Sequence, residues 1–168
     1  MEAYGRESFA DERKSALSDL SHFSITFSIA SRLDHVRLLR AAISGVLTHL
    51  KVSESDIFCL ELAVTELTNN TFEHGYKGAE DKHIEVRMQI TSEEVQIDLI
   101  DFAPPLPEEE RYRLFDAPLS LEDPGEDWSA RGHGLQLVRQ VVNSVEIKSG
   151  PGQNHITLRK NISLQDAW

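Results

Sequence analysis

Between residues 23 and 29 apolar and polar side chains alternate strictly, and just beyond, at Ser31, the period changes to that of a helix. Phe23, Ile25, Phe27 and Ile29 fall on one side of an extended chain, with Ser24, Thr26 and Ser28 on the other, the pattern of a half-buried strand. Ser31 and Asp34 then have the Ser-x-x-Asp spacing of a capping box. They open a segment whose Leu38, Leu39, Ala42, Ile43, Val46 and Leu50 form one broad apolar face. A second such box, Ser53 with Asp56, begins another helix carrying Ile57, Leu60, Val64, Leu67 and Thr71, and Gly75 is expected to end it.

A strand that feeds two amphipathic helices must bury both helices against further sheet, and the rest of the chain supplies it. Residues 83–91 and 95–101 are strand-like, with Ser92, Glu93 and Glu94 as the hairpin turn between them. Residues 104–130 lose regular periodicity and are rich in Pro, Asp, Glu and Ser, too long a stretch for an ordinary connection. After Gly134 an apolar helical run leads into strands 144–149 and 153–160, with Pro151 and Gly152 turning the chain between them. The expected fold is α+β, a two-layer sandwich of a mixed, mostly antiparallel sheet with helices on one face. The 168 residues suit one such domain: a tail over 1–21, the domain over 22–160 and a short tail over 161–168.

Charge narrows the function classes. With 17 Lys and Arg against 28 Asp and Glu, the net charge is -11, which argues against nucleic acid, whose affinity rests on neutralising phosphates. The one cysteine, Cys59, cannot form an intramolecular disulfide, the N-terminal residues lack a basic-then-apolar leader, and no apolar run reaches membrane-spanning length. A cytoplasmic location without membrane attachment is expected.

Three groups of residues carry chemistry. Glu66, Asn70 and His74 are four apart and stack along one edge of the second helix. There an Asn carbonyl suits Mg²⁺ and a Glu can take a proton, although an ordinary polar helix flank has the same spacing. Asp101 ends an apolar strand, where its carboxylate can accept the exocyclic amine of adenine or simply cap the turn into Phe102, Ala103, Pro104 and Pro105. Gly132, His133 and Gly134 precede a helix, and glycine amides at a helix start can hold phosphate or merely join a loop to the helix. Neither a P-loop nor a three-glycine dinucleotide fingerprint is present.

In this order and with these gaps, the groups resemble the boxes of the Bergerat-fold (GHKL) ATPases. The segment 66–76 resembles the asparagine box, residues 101–106 the first glycine box, and Arg131 with Gly132, His133, Gly134 and Leu135 the second. Within that superfamily the His-Gly-Tyr ending at Tyr76 is similar to the anti-sigma-factor serine kinases of bacterial partner-switching systems. The resemblance implies a site for ATP or ADP with Mg²⁺. Asn70 would hold the metal, His74, Ala103 and the 131–135 segment would contact nucleotide, Asp101 would read adenine, residues 106–131 would form a lid, and Glu66 would be the catalytic base. The implied substrate is a serine of a small STAS-type anti-sigma-factor antagonist, and the implied second partner is a sigma factor or another regulatory protein, bound by a homodimer. Two departures stand out: Ala103 occupies a glycine position, where its methyl could crowd nucleotide or restrict the turn, and Arg131 directly abuts Gly132, whereas the family's lid arginine often stands slightly before the glycine pair. The alternative, which Ala103 favours, is a nucleotide-regulated binding module with little or no kinase activity.

Overall fold

A computed structural model describes residues 23–112, 115 and 133–165. The elements run β1 (Phe23–Ala30), α1 (Leu33–His49), α2 (Glu54–Asn70), a π-helical turn (Thr71–Gly75), β2 (His83–Ile90), β3 (Glu94–Asp101), α3 (Glu108–Arg111), α4 (His133–Val141), β4 (Ser144–Gly150) and β5 (Gln153–Asn161). The strands form one sheet in the order β1-β2-β3-β5-β4. Every pairing among the described residues is antiparallel.

Register explains the two layers. Ile25, Met88, Ile97, Leu158 and Val145 lie side by side across all five strands, as do Phe27, Val86, Leu99, Ile156 and Ile147. These rows pack against Leu39, Ile43 and Leu47 of α1 and Leu60, Val64 and Leu67 of α2. Fully burying each such side chain contributes about 1.5–3 kcal/mol relative to exposure. The same inner face ends, one row further along, at Asp101 opposite Asn154, and Asn154 opposite Ser149. The apolar core therefore gives way to a polar row at one end of the sheet.

The two predicted capping boxes have different fates. Ser53 accepts a hydrogen bond from the Asp56 backbone N–H at 3.2 Å and donates to its carboxylate at 2.7 Å. Ser31 does not cap α1: Arg32 takes the N-cap position without a side-chain bond. Instead the Ser31 hydroxyl, fully buried, donates to the Ala79 carbonyl and accepts from the Lys82 N–H. A distant partner on the segment before β2 outcompetes the local cap, because a buried hydroxyl must be satisfied wherever it sits.

Asp56 does more than its capping position implies. Its carboxylate also accepts from the Ser163 N–H at 2.8 Å and pairs with Lys160 at 3.2 Å, tying the start of α2 to the end of β5 and the chain just beyond it. Burial opposes its charge, but the Ser53, Ser163 and Lys160 contacts outweigh burial and hold its pKa below the usual carboxylate range. A depressed folded-state pKa stabilises the fold above the unfolded value and is lost as pH falls through the folded value. Asp56→Asn should accordingly cost about 2 kcal/mol at neutral pH. The gap from wild type should narrow as pH drops below about 4. Denaturant titrations at pH 7 and pH 3 check both statements.

Candidate nucleotide site

Asp101 and Asn154 of the polar row face a pocket of about 300 Å³, within the range of small-ligand sites. Its walls come from the end of α2 and the π-turn (Asn70, Thr71, His74, Gly75), from Asp101 and Ala103 after β3, and from Leu135 of α4. Lys77 and the 104–107 segment also line it. Sequence-distant groups are thereby brought together: the asparagine of the second helix, the strand-end aspartate, the residue in the glycine position and the leucine after Gly134.

The helix does not stop at Gly75 in the simple manner expected. It widens into a π-turn, in which the Tyr76 N–H bonds to the Thr71 carbonyl at 2.8 Å. Such bulges recur at functional sites. Here the Thr71 hydroxyl donates to Asp101 Oδ2 at 3.3 Å. The Tyr76 hydroxyl, at the end of the turn, donates to the His83 carbonyl at 2.5 Å and accepts from the Phe102 N–H at 2.8 Å. That buried phenol clamps the π-turn to the start of β2 and the end of β3. It gives the Tyr of the His-Gly-Tyr ending a structural role that spacing along one helix could not reveal.

Asp101 is 3% exposed and is both a turn residue and a pocket residue. Its Oδ1 accepts from the Ala103 N–H two residues on at 2.9 Å, an Asx-type turn, and from the Asn154 amide at 2.8 Å. Its Oδ2 accepts from Thr71 alone among the described residues. An ionised carboxylate has about four lone-pair sites, so Oδ2 keeps capacity for a donor arriving in the pocket.

Ala103 was a reason to expect a crowded or strained turn. Among the described residues only Lys51 and Lys77 combine a side chain with positive φ, so the backbone at Ala103 does not require glycine. The adjustment is made across the pocket instead. A Cβ built on Gly75 would lie 2.9 Å from the Ala103 methyl, closer than real side-chain contacts permit. Gly75→Ala should therefore destabilise the protein by about 1–3 kcal/mol, and Gly75→Ala combined with Ala103→Gly should recover most of that loss. Thermal unfolding of the two single variants and the double variant tests the coupling.

Glu66 and Asn70 are one turn apart and differently placed. The Asn70 Nδ2 donates to the Glu66 carbonyl at 2.8 Å, so its own carbonyl oxygen is the group left to offer the pocket it lines. Glu66 does not line that pocket; its side chain packs against Gly134 at the start of α4. A Cβ added there would strike the carboxylate, within 3.0 Å of Cδ. Burial, and secondarily the nearby Glu73, raise the Glu66 pKa above the usual range. His74 is exposed at the pocket edge. His133 opens α4, while Arg131 and Gly132 lie outside the described residues, as does most of the expected 106–131 lid. The described part of that stretch is not wholly irregular, since it contains α3, and Phe115 is buried against the pocket.

Sequence reading missed Asn154, Ser149 and Thr71 as site residues. Each looked like part of a strand or an apolar helix face, and only the register that sets Asp101, Asn154 and Ser149 in one row exposes them. No group of three or more His, Cys, Asp or Glu side chains arranged to hold a metal occurs among the described residues. No helix among them is long and apolar enough to cross a membrane.

Known proteins resemble this chain in sequence or in fold. The serine-protein kinase RsbW of Listeria innocua is 26% identical over 126 residues, covering 75% of this chain and 80% of the relative. Among solved structures, the RsbU and RsbW domains of Rv1364c from Mycobacterium tuberculosis superpose with a TM-score of 0.60 at 20% identity over 85% of this chain, which spans 33% of that longer protein. A chain of the SiaB-SiaC complex from Pseudomonas aeruginosa gives a TM-score of 0.60 at 13% identity, covering 90% of this chain and 96% of that one. At these identities both structures speak for the fold alone. Family is decided by sequence pattern: the model of the histidine kinase-like ATPase domain matches residues 29–160, nearly the whole described sheet and its helices, and the chain belongs to that family.

Proposed function

We propose that the protein is an ATP-dependent serine-protein kinase of a partner-switching system. It would phosphorylate a serine of a small STAS-type antagonist and sequester a sigma factor or an equivalent regulator. The observation that carries the nucleotide part is the pocket in which Asp101, with acceptor capacity left on a buried carboxylate, faces the same cavity as Asn70. The relatives named serine-protein kinases support the reaction type.

Adenine would enter with its exocyclic amine on Asp101 Oδ2, while Asn70 offers a carbonyl oxygen to Mg²⁺. A Mg²⁺ ion commonly takes one or two protein ligands beside phosphate oxygens and water, which suits a pocket that Asn70 alone among the oxygen-bearing side chains of α2 lines. When bound, the ion neutralises charge on the phosphates. The chain's own residues do the rest. The end of α2 and the start of α4 fix the reacting groups in place, which is most of what phosphoryl transfer asks of a protein. Glu66 takes the serine proton as the hydroxyl oxygen forms its bond to the γ-phosphorus and the bond to the bridging oxygen of ADP breaks. Its raised pKa makes it a stronger base than an exposed glutamate.

The rival reading, a binding module with little transfer, drew on Ala103. The φ of Ala103 is not positive and its methyl lies where Gly75 leaves room for it, so the turn itself does not require glycine. Incubating the protein with ATP, Mg²⁺ and STAS-type proteins of its host, then searching for phosphoserine by mass spectrometry, tests the proposal. A phosphorylated antagonist supports the kinase, whereas tight antagonist binding without any phosphoserine supports the binding module.

A further inference from the structure

The hydrogen bonds around Asp101 do not end at that residue. Asn154 is 3% exposed, and its Nδ2 donates to Asp101 Oδ1 at 2.8 Å and to the Ala103 carbonyl at 3.2 Å. Its Oδ1 accepts from the Ser149 hydroxyl, and the Ser149 oxygen in turn accepts from the Leu106 N–H at 3.1 Å.

The direction of every proton in this relay is determined. The Leu106 N–H can only donate, so the Ser149 hydroxyl proton is free to go to Asn154 Oδ1. A flipped Asn154 amide would set its oxygen against the carboxylate of Asp101 and the carbonyl of Ala103, leaving buried acceptors facing one another. The relay therefore delivers only donors to Asp101 Oδ1 and leaves Oδ2 as the oxygen with capacity for an incoming donor. Asn154 itself spends its amide protons on Asp101 and the Ala103 carbonyl.

We propose that Asn154, oriented by Ser149, is the positioning residue that makes this pocket select a 6-amino purine over a 6-oxo purine, by holding the Asp101 carboxylate through Oδ1 so that Oδ2 is left to meet the base. The selection rests on the ATP-site reading above. A 6-oxo purine would bring its own carbonyl oxygen to Asp101 Oδ2, an acceptor against an acceptor, on a carboxylate that is 3% exposed. Leu106 lies where the chain leaves the pocket, so the same relay anchors that segment to the base-reading residue.

The test compares ATP with inosine triphosphate, which differs at the 6-position, by calorimetric titration of the whole chain with Mg²⁺. Wild type should prefer ATP strongly. Asn154→Asp, which sets a second carboxylate against Asp101, should weaken ATP by about 10²-fold and bring the preference near unity. Ser149→Ala removes one hydrogen bond without touching the ligand and should erode the preference by about fivefold. Ser149→Thr, which keeps the hydroxyl, should retain it, a distinction that loss of packing alone would not produce. If Asn154→Asp fails to fold, the two Ser149 variants decide. An unchanged ATP preference in Ser149→Ala, or equal losses in Ser149→Ala and Ser149→Thr, would overturn the proposal. Wild type that binds neither nucleotide would instead overturn the ATP-site reading itself, and wild type that binds both equally would overturn the selection alone.

Discussion

Glu66→Gln is expected to keep its nucleotide affinity and to lose about 10²-fold or more in the rate of phosphoryl transfer. The substitution keeps the size of a side chain packed against Gly134 and removes only the ability to hold a proton. Stability should not suffer. Burial raises the Glu66 pKa, so the folded state favours the protonated form, and stability from this group falls as pH rises through its folded value. A neutral amide avoids that loss, and the variant should be at least as stable as wild type near neutral pH. The pH profile adds a second readout. In wild type the transfer rate should climb, as Glu66 loses its proton, at pH values above the ordinary glutamate range of about 4.3, and this limb should vanish in Glu66→Gln. Single-turnover transfer measured from pH 5 to 8 checks both. A normal rate in the variant would remove Glu66 as the base.

Asn70→Ala should abolish transfer and weaken Mg²⁺-nucleotide binding together, by about 10²-fold. The contrast with Glu66 comes from geometry. Asn70 lines the pocket while Glu66 does not, and the Asn70 amide is already committed to the Glu66 carbonyl, leaving its oxygen as the useful atom. Alanine is the better helix former, so the fold should hold and the loss should be one of function. Titrating nucleotide with and without Mg²⁺ isolates the metal's share. In wild type Mg²⁺ should strengthen binding, and in Asn70→Ala that enhancement should largely disappear. An enhancement equal to wild type would place the metal on another group.

How much of this was legible beforehand follows from the range of each interaction. The strands, both long helices and the Ser53 cap rest on neighbours two to four residues apart, and the sequence patterns for them held. The antiparallel sheet with helices on one face followed from those patterns, although the purely antiparallel pairing among the described residues did not. Ser31 misled because its partners, Ala79 and Lys82, are some fifty residues away. The π-turn depends on Thr71 and Tyr76 finding partners on β2 and β3, and α3 lies in a stretch whose Pro and Glu content reads as irregular. In the pocket, Asn70 and Asp101 could be read from motif spacing. Asn154 and Ser149 could not, since a polar residue in a half-buried strand looks the same whether it faces solvent or a carboxylate. Only strand register separates the two cases.

The fit between Glu66 and Gly134 shows the same limit. Glycine before a helix reads as an anion site or as a plain junction, and neither reading contains the finding that a side chain there would collide with the carboxylate of a residue on another helix.

The account stands on one claim, that the pocket between the π-turn and the end of β3 binds an adenine nucleotide. Calorimetric titration of ATP in the presence of Mg²⁺ into the whole chain measures it directly. Binding in the micromolar range, about -8 kcal/mol, that is lost in Asp101→Asn is the predicted result. No heat with ATP at millimolar concentration, or undiminished binding by a folded Asp101→Asn protein, would contradict it.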